Sequence, residues 1–378
     1  MFLYLWLPFL FVIGTCVGSF INVCVARLPL EKSILWPGSH CGQCYKPIAL
    51  HHNLPLIGYL ILRGQCANCK VRFSIQYFMV ELLTGLGFVG LFYVVIIGNV
   101  HDWPLPANFR GSYIAEGFYP WQWLIGYGWH VLLFSFLTVC TFTDLNGREI
   151  PMSVTIPGTV IGLIGAMLLA WPWPLTEQQG MADIVKHQNK FTKATASWCL
   201  LPPEAKPKEG VYPWPPLGPP PSWAPPGSWQ LGLLTGIAGA LAGTFLVRLI
   251  GTLASKGLGK EAIGAGDADL MMMAGAFTGW QITLTSFFVG TLAALVVVPF
   301  QLFIRRDNSM PFGPSLAAGV LITLLCWDRI LQAFPLNLIY FCFEVMAFLV
   351  IAGGGMLLLL TFLLRLAKGG KKAPKEDG

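Results

Sequence analysis

Long apolar segments alternate with short polar loops along most of the chain, and this pattern predicts a bundle of membrane-spanning helices. A helix needs about 20 apolar residues to cross a bilayer core, and lipid offers the backbone no other hydrogen-bond partners. We predict about nine apolar helices, at residues 3–26, 76–98, 122–143, 152–173, 229–254, 268–280, 282–304, 313–330 and 336–364. The sixth is short for a full crossing, so it either tilts or continues through Gly279 toward the seventh.

Composition indicates a chain that is dissolved in lipid. Hydrophobic residues make up 55% of the 378 residues and charged residues 11%, whereas soluble domains carry about 25% charged residues. The expected fold class is therefore an all-α polytopic membrane protein with about 8–9 transmembrane helices. The first residues lack the basic leading region and the small-residue cleavage site of a secretory signal peptide, so we expect none.

Lysine and arginine residues cluster in loops on one side of the predicted spans. They are Arg27, Lys32, Lys46, Arg63, Lys70, Arg72, Arg148, Lys256, Lys260, Arg305, Arg306, Arg365, Lys368, Lys371, Lys372 and Lys375. Short loops rich in these residues stay in the cytoplasm, so we expect that side and the C-terminal tail inside, with the N-terminus outside. The net charge of +6 is then a topology signal, and we expect no nucleic-acid partner.

Two segments are predicted to lie outside. Residues 99–121 are rich in aromatic residues and proline, and residues 174–228 end in PWPPLGPPPSWAPPGSW. Such a proline run favours extended polyproline structure and forms no packed core of its own. The longer segment is either a spacer or docking loop or an unstructured insertion. The expected division is an N-terminal part at 1–98, a second part at 122–330 that this segment interrupts, and a further span with a basic tail at 336–378.

The first cytoplasmic loop contains two CxxC pairs. They read CGQC and CANC, and residues 45–65 separate them. Thiolates at this spacing suit a tetrahedral zinc site of the ribbon type, and a reducing cytoplasm keeps thiols out of disulfides. Four protein ligands leave no position for water, so the predicted Zn²⁺ is structural. The alternative is two disulfides or four unrelated cysteines. The predicted ligands are Cys41, Cys44, Cys66 and Cys69, with the nearby His40, His51 and His52 expected at the surface.

Two aspartates are expected at the cytoplasmic edge of the membrane. Asp144 closes the third span in TDLNGREIP, and Asp267 opens the sixth in GAGDADL. Two carboxylates that meet share a proton, so one acts as a base on water while the other polarises a peptide carbonyl. Helix capping is the alternative role for each acid alone. Asp269 lies on another helix face, and Glu81 and Glu344 are acids inside spans that either pair with polar neighbours or face a cavity.

Seven segments in order resemble the type IV prepilin peptidases, which are also called prepilin leader peptidase/N-methyltransferases. They are GSFINVCVARLP (18–29), CGQC (41–44), NLPLIGYLILRGQCANCK (53–70), QYFMVELLTG (76–85), TDLNGREIP (143–151), GAGDADLMMMAGAFTGW (264–280) and MPFGPSLAAG (310–319). The resemblance implies an aspartic protease whose catalytic acids are Asp144 and Asp267. It also implies a multi-pass protein of the bacterial inner membrane, with prepilin or pseudopilin precursors and lipid as partners.

By the same resemblance, the enzyme cuts a short leader on the cytoplasmic side and then methylates the new N-terminal amine with S-adenosylmethionine. The methyltransferase activity is associated with the zinc-bearing N-terminal part. The chain also departs from the family, which usually has lysine where Asp269 stands and often has aspartate where Met152 follows Pro151. The 174–228 segment and the ninth span exceed the common eight-span plan.

Two other functions fit parts of the pattern. A proton-coupled transporter also uses acid pairs within spans, but it favours acids near mid-membrane and repeat symmetry. A non-catalytic component of a pilus or secretion assembly would need only the zinc loop, and the pair of acids argues against it.

Overall fold

The computed structural model describes residues 3–101, 114, 116–169, 223–224, 228–258, 264–305 and 311–333. The described helices are α1 (Leu3–Arg27), α2 (Ile57–Ile61), α3 (Ile75–Phe92), α4 (Trp121–Leu145), α5 (Met152–Leu169), α6 (Trp229–Leu258), α7 (Ala265–Arg305) and α8 (Gly313–Ala333). Short 3₁₀ turns cover Leu28–Leu30 and Leu50–His52, and a π-helical turn at Tyr93–Ile97 extends α3. The predicted ninth span, the basic tail and most of the proline-rich segment lie outside the described residues.

The predicted membrane-helix fold is confirmed. Within the described residues, four helical stretches are long and apolar enough to cross a bilayer, namely Leu5–Leu30, Ile75–Ile97, Trp123–Leu145 and Trp229–Lys256. Shorter apolar helices follow at Met152–Leu168 and Gly313–Trp327. The helix boundaries match the apolar runs because burial in lipid, which needs no amphipathic alternation, decides where these helices begin and end.

The N-terminal half is built on a close pair of helices, α1 and α3. A Cβ atom added to Gly18 would lie 2.7 Å from Cα of Glu81, and one added to Gly14 would lie 2.8 Å from Cα of Gly85. Small residues let membrane helices pack backbone to backbone. This packing brings the C-terminal end of α1 and the beginning of α3 together, with the cysteine-bearing loop between them.

The C-terminal half is built around α7, which packs against α5, α6 and α8. Its inner residues Leu270, Met271 and Phe277 are fully buried. The helix is interrupted at Gly279, whose φ of 76° and ψ of 169° are not helical. Glycine adopts a positive φ without a steric penalty. The predicted sixth and seventh spans are therefore consecutive parts of α7, residues 265–278 and 280–305, joined at Gly279 as one of the two expectations had it.

Helix α4 connects the two halves. It packs against α1 and α3 on one side and against α8 on the other. The loop that follows α4 also reaches the N-terminal half, because Nη1 of Arg148 lies 3.4 Å from the carbonyl oxygen of Ala26 at the end of α1. The end of α4 therefore lies beside the C-terminal end of α1.

Candidate active site

The four cysteines of the first loop lie together. Their sulfur atoms are all within 4.8 Å of one another, with 3.7 Å between Cys41 and Cys69 and 3.9 Å between Cys44 and Cys66. Sulfur atoms held about 2.3 Å from a tetrahedral zinc ion are about 3.8 Å apart, whereas a disulfide requires about 2.05 Å. The arrangement fits a Zn²⁺ ion held by four thiolates and does not fit disulfides, so the expected clustering of the four cysteines is confirmed.

Two matching turns hold the cysteines in place. The backbone N–H of Tyr45 donates to the carbonyl of Cys41 at 2.9 Å, and that of Lys70 donates to Cys66 at 3.1 Å. Tyr45 and Lys70 have φ values of 56° and 59°. Each turn is flanked by an isolated antiparallel bridge, between His40 and Pro47 and between Gln65 and Arg72. The two CxxC pairs therefore adopt the same local structure and face each other.

The turns also prepare two thiols for metal binding. Backbone N–H groups of Cys69 and Asn68 lower the pKa of the Cys66 thiol to about 6. Those of Cys44 and Gln43 lower the pKa of Cys41. Because the thiolate is the metal-binding form, at least part of this ligand set is available to a cation near neutral pH.

The two predicted catalytic acids come together from different helices. Asp144 lies in the last turn of α4 and Asp267 in the first turn of α7. The carboxylate of Asp144 lies close enough to Asp267 to act on it electrostatically. Asp267 is 8% exposed, so water screens the two charges poorly. Two carboxylates in such a site favour a state that holds one proton between them.

Gly313 fixes the orientation of Asp144. It is the first residue of α8, and its backbone N–H donates to Oδ2 of Asp144 at 2.7 Å. The first N–H groups of a helix have no partner within the helix, and the positive end of the helix dipole favours an anion there. A Cβ atom at this position would lie 2.7 Å from the same oxygen. The beginning of α8 therefore orients Asp144 and favours its charged form.

The glycine beside Asp267 serves the packing of the loop after α4. A Cβ atom on Gly266 would lie 2.9 Å from Cβ of Ile150, whereas the nearest atom to one on Gly264 is Oδ2 of Asp267 at 3.9 Å. Gly266 thus lets the beginning of α7 approach that loop closely. Gly264 leaves space beside the acid.

Asp269 has a different partner from the acid pair. Its Oδ1 lies 3.4 Å from Nη2 of Arg248 on α6, with side-chain exposures of 7% and 60%. The family resemblance places a lysine at this position, and here the positive charge is supplied by a neighbouring helix instead. Glu344, the other intramembrane acid singled out in the sequence, lies outside the described residues.

Glu81 faces a cavity between the C-terminal end of α1 and the beginning of α3. The cavity has a volume of about 320 Å³, and the loop that carries the cysteines covers it. Oε2 of Glu81 accepts a hydrogen bond from the backbone N–H of Leu56 at 2.8 Å. Glu81 thus has a polar neighbour and also lines a cavity, which joins the two roles that the sequence left open.

The sequence did not indicate two of these roles, namely Gly313 as a hydrogen-bond donor and Arg248 as a partner of Asp269. Gly313 lies in the segment MPFGP, where a glycine followed by a proline indicates the start of a helix. Arg248 is recognisable in the sequence as a charged residue inside an apolar helix.

Two family models match separate parts of the chain. The bacterial peptidase A24 N-terminal domain matches residues 12–95, which include the four cysteines and Glu81. The type IV leader peptidase family matches residues 224–298, which include Asp267.

Curated relatives match more of the chain. A prepilin leader peptidase/N-methyltransferase of Myxococcus xanthus is 28% identical over 351 residues, which are 88% of this chain and 94% of the relative. One of Pseudomonas putida is 27% identical over 84% of this chain and 90% of its own. One of Neisseria gonorrhoeae is 32% identical over 181 residues, which are 42% of this chain and 54% of the relative. No solved structure matches the chain.

Proposed function

We propose that this chain, which belongs to the type IV leader peptidase family, is a prepilin leader peptidase that uses Asp144 and Asp267 as its catalytic acids. Its substrates are prepilin or pseudopilin precursors, whose leaders it removes at the cytoplasmic face of the membrane. It then methylates the new N-terminal amine. Relatives that align along 84% or more of this chain are named for both activities.

The observation that carries the proposal is the meeting of Asp144 and Asp267 beside the N-terminus of α8. The N–H of Gly313 supports a negative charge on Asp144, so the shared proton belongs on Asp267. Asp144 then takes a proton from water, and the resulting hydroxide attacks the scissile carbonyl carbon. Asp267 donates its proton to the carbonyl oxygen, which gives a gem-diol. Asp144 then gives its proton to the leaving amine as the carbon–nitrogen bond breaks, and Asp267 takes a proton back from the diol, which leaves the carboxylic acid product.

Cleavage at the cytoplasmic face is supported by the position of basic residues. The described loops on the side of the two acids contain Arg27, Lys46, Arg63, Lys70 and Arg148. Such loops are retained in the cytoplasm. A precursor whose apolar helix stays in lipid would present its leader junction at this depth.

We assign the two activities to different parts of the chain. Residues 122–330 carry the acids and form the peptidase part, and residues 1–98 carry the zinc loop and form the methyltransferase part. Bound zinc would be held by Cys41, Cys44, Cys66 and Cys69 and would fix the loop. S-adenosylmethionine supplies the methyl group when it is bound.

Purified full-length protein in detergent, incubated with a prepilin and S-adenosylmethionine, tests both activities. Mass spectrometry and N-terminal sequencing are expected to find a product that lacks the leader and carries one added methyl group. An intact precursor after incubation with well-folded enzyme would contradict the peptidase proposal. A cut but unmethylated product would contradict the second activity alone.

The transporter alternative receives less support. The two acids lie at helix ends rather than at mid-membrane, where coupled transporters place their ion sites. Protein in sealed vesicles is expected to carry no proton flux that depends on Asp144.

A further inference from the structure

A cavity beside the zinc loop is lined by neither of the two proposed catalytic acids. It lies between the cytoplasmic ends of α1 and α3, and its volume of about 320 Å³ is within the range of small-molecule sites, about 300–1,000 Å³. Its wall combines aromatic and polar side chains, among them Tyr59, Phe73, Ser39, Asn53 and Glu81. Aromatic faces suit a planar base, and the polar groups suit a ribose and an amino acid.

Glu81 is the buried acid of this cavity. It is 9% exposed and accepts hydrogen bonds from the N–H of Leu56 and from the side chain of Ser19. In the described part of the chain, no lysine or arginine forms an ion pair with it. A buried carboxylate is costly unless a positive charge or sufficient donors accompany it. A ligand that brings a cationic group would complete this site.

A second cavity adjoins the first where α1 ends and α3 begins. It has a volume of about 300 Å³ and shares Asn22, Ala26 and Tyr77 with the first. Its other wall includes Asn146 and Arg148, which belong to the loop directly after Asp144. The second cavity therefore borders both the cavity at Glu81 and the loop that follows the helix of Asp144.

We infer that the cavity at Glu81 is the methyl-transfer site, an inference that rests on the methyltransferase activity proposed above. The N-terminal ammonium of the cut pilin reaches Glu81 from the membrane side, and S-adenosylmethionine occupies the part of the cavity under the zinc loop. Glu81 accepts a proton from the ammonium. The amine nitrogen then bonds to the methyl carbon while the carbon–sulfur bond breaks and its electron pair stays on sulfur. The second proton of the methylated nitrogen leaves to water, and the by-product is S-adenosylhomocysteine.

The role of Glu81 is tested with Glu81→Gln in the full-length enzyme, with Glu31→Gln as a matched control on an exposed loop residue. Glutamine keeps the size of the side chain but accepts no proton. Methyl transfer to a precut pilin peptide should fall at least about 100-fold, while leader cleavage and S-adenosylmethionine affinity stay within about threefold. Glu31→Gln should match the wild type in all three. Raising the pH should recover part of the lost rate, because more of the amine is then uncharged.

The position of the cofactor is tested with Gly42→Leu and Gly38→Leu. A Cβ atom at either glycine meets no atom within 4 Å, but only Gly42 lines the cavity. Calorimetry with S-adenosylmethionine, without a pilin, should show at least tenfold weaker binding for Gly42→Leu and unchanged binding for Gly38→Leu. Zinc content is measured in both variants, because Gly42 lies between two of the cysteines.

Three results would overturn the inference. One is methylation by well-folded Glu81→Gln at the wild-type rate. Another is equal S-adenosylmethionine affinity of the two leucine variants with zinc retained. If instead the wild-type enzyme cuts prepilin but methylates nothing, the methyltransferase proposal itself fails, and this assignment fails with it.

Discussion

The two halves of the molecule hold their polar groups in place by different means. In the N-terminal half, a loop with little regular structure carries four cysteines, and a bound metal would replace the hydrophobic core that the loop lacks. In the C-terminal half, Asp144 and Asp267 stand on long helices whose inner faces are buried, and the N–H of Gly313 orients one of them. One site depends on a ligand and the other on helix packing.

This difference indicates why the chain can join two chemistries without mixing them. Peptide hydrolysis needs two acids held at a fixed separation, which rigid helices supply. Methyl transfer needs a pocket that admits and releases a soluble cofactor, which a loop permits more readily. The two cavities share Asn22 and Tyr77, and the second is also lined by the loop after α4. This separation of the two activities would be contradicted if substitutions in one half lowered both activities equally.

The largest effect is expected from the acids themselves. Asp144→Asn and Asp267→Asn should each lower leader cleavage at least about 10³-fold, because amides neither accept nor donate the shared proton. The double variant should be little worse, since the pair acts as a unit. Cleavage is scored by N-terminal sequencing, and folding by thermal unfolding. Methylation of a precut peptide should survive, and a wild-type cleavage rate in either single variant would refute the assignment.

The next effect is expected from the metal site. The purified protein should contain about one zinc ion per chain, and Cys66→Ser should lower this content to less than half. Because four ligands close the site, methyl transfer should fall at least about tenfold more than cleavage. Metal analysis together with both assays measures this. Cys140→Ser is the matched control, because this buried cysteine lies on α4, away from the cluster. Well-folded protein without zinc would contradict the prediction.

A smaller effect is expected at the beginning of α8. The methyl group of Gly313→Ala would meet Oδ2 of Asp144, so the carboxylate must shift by several tenths of an ångström. Cleavage should fall by about ten- to a hundredfold, with methyl transfer unchanged. Gly128→Ala on α4 is the control, because a Cβ atom there meets nothing within 4 Å. Equal cleavage by the two variants would show that Gly313 does not orient Asp144.

The smallest effect is expected from the ion pair between α6 and α7. Arg248→Gln leaves Asp269 buried without its cation, which should lower the free energy of unfolding by about 1–2 kcal/mol. Arginine at this site is 60% exposed, so water compensates for part of the loss. Cleavage should stay within about threefold, because this pair is separate from the acid pair. Arg248→Lys should recover most of the stability in a thermal melt.

The helices could be predicted from the sequence because lipid makes length and apolarity sufficient signals. The cysteine cluster could be predicted equally well, since the spacing within CGQC and CANC is a local pattern that is typical of a four-cysteine metal site. The break at Gly279 was foreseen only as one of two possibilities. In each case a short stretch of chain contains the information.

Contacts between helices that are distant in the sequence could not be predicted in the same way. Nothing in the residues around Asp144 shows that it accepts a hydrogen bond from Gly313, 169 positions away. The meeting of Asp144 with Asp267 was expected from family resemblance together with a shared membrane depth. The ion pair between Arg248 and Asp269 depends on which faces of α6 and α7 contact each other. A helix that is apolar on all sides does not show in its sequence which face contacts the neighbouring helix.

Helices α6 and α7 cross where Gly239 and Gly275 meet, backbone against backbone. Even the methyl group of alanine at either glycine would collide with the carbonyl group of the other. Gly275 lies about 12 Å along α7 from Asp267, at 1.5 Å per residue. A substitution that pushes the two helices apart at Gly275 would therefore also displace Asp267. We therefore expect the crossing to tolerate larger residues at these two glycines as poorly as the acid pair tolerates substitution, although the glycines act through packing alone.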